Sequence, residues 1–304
     1  MEHTKYTGIF PAFYACYDDN QDVSLSRVRA LARFLVDKGV QGLYVNGSSG
    51  ECIYLEKEER MAILEAVMEE VGGQCTVIAH VACNNTRSSM ELAAHAEKLG
   101  VDAIASIPPI YFHLPEYAIK EYWNSISSAA PHTDFFLYNI PQLAGVALTP
   151  SLFLEMLKNP RVVGVKNSSL SAYDIETFLR LGEGRITIFN GPDEQFVAGR
   201  TTGAAGGIGG TYAAMPELFL KMDQLIRENH VSEAALIQHE VNAIIEDLCS
   251  LRGNMYAVIK KVIELNGGPS LGGVRSPLPQ LSREDMPKAE AVASRIRQTV
   301  KRFV

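Results

Sequence analysis

The stretch Val162-Val163-Gly164-Val165-Lys166 is an apolar run that ends in a lysine. A short continuous run of this kind reads as a strand buried on both faces, the pattern of parallel sheets. A lysine at the end of such a strand stands where a barrel or sheet opens to its ligand. Desolvation there disfavours the ammonium form and lowers its pKa, leaving a neutral amine that can attack a carbonyl. Taken alone, the same pattern also describes a solvated loop lysine.

Two companions narrow the choice. Phe135-Phe136-Leu137-Tyr138-Asn139-Ile140-Pro141 is a second apolar strand, and it delivers Tyr138 near its end. Gly42-Leu43-Tyr44-Val45 is a third, and it runs into the turn Asn46-Gly47-Ser48-Ser49-Gly50-Glu51. Amine, phenol and hydroxyl turn thus fall together at carboxyl ends of strands.

The rest of the chain alternates in the same way. Strands are expected near 8–15, 42–46, 76–81, 102–107, 135–139, 162–166, 186–190 and 205–209. Between them lie amphipathic runs. Ser24–Lys38 carries Val28, Leu31, Ala32 and Leu35 at helical spacing, and Lys57–Val71 carries Met61, Leu64, Val67 and Met68. Thr86–Leu99 begins with a capping residue and stops before Gly100. This repetition predicts a (β/α)8 TIM barrel, with a doubly wound open sheet as the alternative. Beyond about residue 212 the strand signal ends. Pro216–Glu228 would close the barrel, and His230–Ser250, Met255–Leu265 and Ser282–Val300 form a C-terminal helical extension. No low-complexity tract or charge block marks a second folding unit. The expectation is one domain over 1–304, with a barrel over about 5–228 and the extension over about 229–304.

Composition excludes several classes. The 304 residues are 47% hydrophobic, enough for one large core. A net charge of −7 without a Lys/Arg cluster argues against a nucleic-acid partner. The start, Met1-Glu2-His3-Thr4-Lys5, has no apolar core of a signal peptide, and no stretch is long enough for a membrane helix. The five cysteines include no CxxC and read as reduced packing thiols, with Cys16 and Cys52 near the expected site mouth. The histidines show no metal-ligand spacing, and His80 reads as a satisfied core residue. Neither a metal nor an organic cofactor is expected, and the chain is expected to be cytoplasmic.

The order GSSGE, YNIP, GVK resembles the pyruvate-dependent class I aldolases, the family of dihydrodipicolinate synthase and N-acetylneuraminate lyase. The likeness spans about residues 5 to 300 and is greatest to the N-acetylneuraminate lyases. It implies a Schiff base between Lys166 and a 2-oxo acid, with Tyr138 as general acid/base. On chemistry alone Tyr138 is equally a packing aromatic. It implies that Ser48 and Ser49 bind the pyruvate carboxylate and that Ser48 joins a hydroxyl relay, where chemistry alone reads an ordinary βα turn. Tyr111 corresponds to a tyrosine that reaches an adjoining subunit's site, although Phe112 and His113 depart from the usual run. Gly191, Asp193 and Glu194 match a Gly-x-Asp-Glu element for the substrate's glycerol-like tail, with Pro192 in place of an aromatic. Without the resemblance, that segment reads as a solvated turn with a helix cap. Ser168 stands where the relatives have threonine, Gly210 where they have serine, and Ile208 falls among the substrate contacts. The implied assembly is a homotetramer built from dimers.

The implied reaction is cleavage of a 2-oxo-3-deoxy sugar acid to pyruvate and an aldehyde, with N-acetylneuraminate the best match and N-acetylmannosamine the product. Dihydrodipicolinate synthases carry an arginine two residues after the YNxP proline; here Leu143 occupies that position and cannot pair a carboxylate. A catalytically silent barrel that binds a 2-oxo acid is the alternative from another class.

Overall fold

The computed structural model describes residues 5–304; Met1 to Thr4, including His3, lie outside the described residues. Eight strands run in the order of the chain: β1 (Gly8–Pro11), β2 (Gly42–Val45), β3 (Thr76–His80), β4 (Ala103–Ser106), β5 (Asp134–Asn139), β6 (Val162–Asn167), β7 (Thr187–Asn190) and β8 (Gly206–Gly209). Every strand pair is parallel, and β1 pairs with β8. Ala12 bridges Tyr44, and the Phe13 N–H donates to the Tyr44 carbonyl at 2.9 Å, which joins β1 to β2. The sheet is therefore a barrel, and the open-sheet alternative falls. Each strand lies within a few residues of its expected place.

Helices cover the outside: α1 (Leu25–Asp37), α2 (Lys57–Val71), α3 (Thr86–Leu99), α4 (Glu116–Ala129), the short α5 (Pro141–Ala144) and α6 (Pro150–Met156), α7 (Ala172–Gly182), α8 (Phe196–Thr202) and α9 (Pro216–Arg227). In α1 the expected stripe Val28, Leu31, Ala32 and Leu35 is fully buried. In α2 the buried face is turned toward Ile63 and Ala66, so Met61 and Met68 are only partly covered. The cap of α3 is Asn85, whose side chain accepts from the Ser88 N–H at 2.8 Å, and Gly100 ends the helix in the left-handed region. Three helices follow: α10 (Val231–Cys249), α11 (Met255–Leu265) and α12 (Met286–Phe303). Of these, α10 packs on α8 and α9, and α12 packs across α10 and α11.

Strand alternation sorts side chains between two cores. Leu43, Val45, Leu137 and Val165 point outward and pack under the helices. Phe10, Tyr44, Ile78, Phe136, Phe189 and Ile208 point inward and fill the barrel. The inner layer needs small residues where aromatics cross the axis. A Cβ on Gly164 would stand 2.2 Å from a ring carbon of Phe136, so only glycine fits there. With the lower barrel filled in this way, inward residues at the carboxyl ends of β5 and β6 meet an open cavity.

Candidate active site

Lys166 points inward from β6, two positions beyond Gly164, and is paired in register with Tyr138 on β5. It is 4% exposed. Its Nζ lies 4.1 Å from the centre of the Tyr138 ring and 4.2 Å from that of Tyr44. Burial pulls the lysine pKa down to about 7, against the opposing influence of Asp193 and Cys52. A substantial fraction is then the free amine at neutral pH, the form able to attack a carbonyl. The solvated-loop alternative is excluded by this burial.

Tyr138 is also buried, and burial pushes its phenol up to about 12, while the hydroxyls of Ser48 and Ser168 work in the opposite direction. The phenol is therefore a proton donor at rest. His80 lies against it, with ring centres 6.0 Å apart, and is held by a 2.9 Å contact from Nδ1 to the Asn46 carbonyl. Burial and the neighbouring Arg60 push the His80 pKa well down, so the ring is neutral. Its Nδ1–H then donates to Asn46, as expected of a satisfied core histidine.

Ser48 and Ser49 follow β2 in a tight turn. Glu51, at φ +53°, ends it. Ser49 is buried and stands near the phenols of Tyr14 and Tyr256, on which its hydroxyl acts as a hydrogen-bonding partner. Gly191 begins the β7 loop and lies hard against β6: a Cβ there would sit 2.0 Å from Ser168 Oγ. Ser48, Ser49, Ser168, Gly191, Asp193, Glu194 and Ile208 all line the same cavity as Lys166 and Tyr138, with a volume of about 240 Å³.

Asp193 and Glu194 differ sharply. Asp193 is 6% exposed, and its Oδ2 accepts from both the N–H and the hydroxyl of Thr211, at 2.7 and 2.6 Å. It thereby caps the short 3-10 turn Thr211–Ala213 that follows β8. Burial pushes its pKa up to about 7, partly offset by those Thr211 bonds. Glu194 is exposed, and its carboxylate has no hydrogen bond or ion pair among the described residues. Cap and free acceptor are thus divided between neighbouring carboxylates.

Comparison with known proteins identifies the scaffold. The dihydrodipicolinate synthetase family model matches residues 5–296. The chain belongs to the dihydrodipicolinate synthetase family. Among its relatives, an N-acetylneuraminate lyase of Mediterraneibacter gnavus is 59% identical over 300 residues, spanning 99% of this chain and 95% of that protein. An N-acetylneuraminate lyase of Citrobacter koseri is 31% identical, over 96% and 97% of the two chains. The solved wild-type sialic acid aldolase of Ruminococcus gnavus superposes with a TM-score of 0.98 at 59% identity, covering 99% of this chain and 100% of that one.

Within this family frame, Tyr111 stands apart from the other candidates. It is 86% exposed, takes φ +84°, and does not line the cavity of its own chain. Of the two cysteines expected near the mouth, Cys16 is instead fully buried in the outer core, where its thiol is pushed up to about 12. Cys52 is close enough to influence Lys166, but it lines a neighbouring cavity with Arg60 and Cys83. No group of His, Cys, Asp or Glu among the described residues is arranged to hold a metal. No described helix is long and apolar enough to cross a membrane.

Several participants escaped the sequence reading. Tyr44 could have been found, since it occupies an inward position two residues before Asn46. Arg60, buried in α2, donates to the carbonyls of His80 and Ala82 at 2.7 and 2.8 Å, and its own carbonyl accepts from Asn46 Nδ2, at the start of the hydroxyl turn, at 2.8 Å. Ile245, Met255 and Tyr256 bring α10 and α11 to the cavity wall. Nothing local marks these residues, because only packing of the extension brings them to the site.

Proposed function

We propose that this chain is an N-acetylneuraminate lyase, a carbon–carbon lyase that cleaves its sugar acid to pyruvate and N-acetylmannosamine. The observation that carries the reading is Lys166, buried beside the Tyr138 ring in the cavity, with its pKa pulled down to about 7. Its neutral Nζ attacks C2 of the 2-oxo acid, and loss of water leaves an iminium. As the C4 hydroxyl gives up its proton, the C3–C4 electron pair moves toward the iminium nitrogen. The aldehyde departs and an enamine remains. Protonation at C3 and hydrolysis then release pyruvate and the lysine. The protein's own lysine supplies the electron sink, so this route calls for no metal or organic cofactor.

Tyr138 carries the proton of the C4 hydroxyl, with Ser48 and Ser168 in hydrogen-bonding range. A phenol near 12 needs help to act as a base, and the iminium formed beside its ring supplies a fixed cation. Ser48 and Ser49 hold the pyruvate carboxylate, and Gly191 and Ile208 bound the sugar chain. Glu194 accepts hydrogen bonds from the polyol tail, while Asp193 bounds the tail pocket and holds the β8 turn. The chain works as one folding unit, barrel plus extension, in the cytoplasm. It assembles as a homotetramer of dimers, in which the exposed Tyr111 reaches the partner's site.

The synthase reading is disfavoured because Leu143 lines the cavity and no arginine does among the described residues. The silent-barrel reading is disfavoured because the amine, phenol and both serines are present and convergent. Pyruvate release across a panel of sialic acids and 2-oxo-3-deoxy aldonates tests substrate choice, and intact mass after pyruvate plus borohydride tests the covalent step. Activity with aspartate semialdehyde in place of the sugar would overturn the assignment.

A further inference from the structure

We propose that Gln238, on α10 of the C-terminal extension, is a positioning residue for recognition of the sugar tail and acts through the Asp193–Glu194 turn. This rests on the reading above that the turn faces the tail. Gln238 is 7% exposed and its amide is fully engaged. Its Oε1 accepts from the Val197 N–H at 3.0 Å, and its Nε2 donates to the Asp193 carbonyl at 3.1 Å. Nε2 also donates to Oδ1 of Asn242, one helical turn further on, at 2.7 Å. Asn242 in turn donates from Nδ2 to the Glu194 carbonyl at 3.1 Å. One face of α10 therefore grips the backbone of residues 193, 194 and 197.

The grip matters because the Glu194 side chain has no hold of its own. With its carboxylate unbonded among the described residues, the position of the side chain is set by its backbone alone. A methionine at 238 would leave the Val197 N–H buried without its side-chain partner and the Asp193 carbonyl with only the Phe196 N–H. The turn would then move to recover bonds, and small displacements of a positioning group degrade binding steeply. Lys166 and Tyr138 stand on β6 and β5, outside this grip, and the Asp193 carboxylate that faces the lysine keeps its own hold on Thr211, so pyruvate chemistry should change little.

The test uses the condensation direction, where KM for pyruvate and KM for N-acetylmannosamine are measured separately. For Gln238→Met, KM for the amino sugar should rise about 5- to 30-fold, the range expected for lost buried hydrogen bonds. KM for pyruvate and the yield of the borohydride adduct should stay within about twofold of wild type, a split that general destabilisation would not produce. Asn242→Ala, at a half-buried position, should show the same split more weakly, and it carries the test if Gln238→Met does not fold. In a Glu194→Gln background, Gln238→Met should add little. Gln238→Met and Asn242→Ala enzymes with wild-type KM for the sugar, or with both KM values raised together, overturn the inference. Glu194→Gln with unchanged KM for the sugar, alongside a preserved split in Gln238→Met, would instead displace Glu194 as the tail contact and leave the grip acting through the rest of the turn.

Discussion

Nζ of Lys260 lies 2.6 Å from Oε1 of Glu51, and neither side chain reaches solvent. The pair joins the end of the hydroxyl turn to α11 across 209 residues of sequence. Glu51 Oε2 also accepts from the Arg275 N–H at 2.7 Å and the Tyr17 hydroxyl at 3.2 Å, and Lys260 donates to the Gly273 carbonyl at 2.7 Å. Burial lowers the Lys260 pKa, while Glu51 pulls it back up. The turn that presents Ser48 and Ser49 is thus fixed from behind by the extension.

Breaking a buried pair from one side leaves an uncompensated charge, which typically costs about 3–5 kcal/mol. Lys260→Met should lose stability on that scale in chemical denaturation, and Glu51→Gln combined with Lys260→Met should recover part of it. A single mutant within about 1 kcal/mol of wild type would reduce the pair to the worth of a surface bridge.

Lys166 should set the acid limb of Schiff-base formation. With the lysine near pH 7, the rate of pyruvate adduct formation should climb through that pH and level off above it. Asp193 holds the lysine pKa up, so Asp193→Asn should move the limb to lower pH; a shift to higher pH would contradict the electrostatics. Stability follows the same signs. The contribution of Lys166 is present above 10.5 and is lost as pH falls through about 7. That of Asp193 is present below 3.8 and is lost as pH rises through about 7, so the stability of Asp193→Asn relative to wild type should improve across that window. Lys166→Ala should remain folded and form no borohydride-trapped adduct.

Tyr138→Phe removes a hydroxyl and almost no volume. It should lower kcat by roughly 10²–10⁴-fold, the usual contribution of a positioned acid/base. Steady-state cleavage within a few-fold of wild type would leave Tyr138 as a packing residue.

Gly191→Ala tests the closeness of the β7 loop to β6. The new Cβ would meet Ser168 Oγ at 2.0 Å and the Asn167 carbonyl oxygen at 2.8 Å. Overpacking of this kind costs about 1–3 kcal/mol, and displacement of Ser168 should reduce kcat/KM at least about tenfold. Unchanged melting and turnover would mean that the loop is free to retreat.

The barrel and the end of it that carries the candidate site were legible in the sequence because both are local. Short apolar runs such as Val162–Val165 mark strands buried on two faces, and chain polarity alone puts Lys166, Tyr138 and the Ser48–Ser49 turn at one end of them. What depends on distant packing was not legible. Asp193 and Glu194 read alike as neighbouring acids, and only the approach of Thr211 turns one of them into a cap. Glu51 gives no local hint of Lys260, nor the Asp193–Glu194 turn of Gln238, because both partners lie on the extension, far away in sequence. The pKa of Lys166 belongs to the same class: the residue is fixed by sequence, whereas its lowered pKa is a property of the desolvated cavity that the folded barrel builds around it.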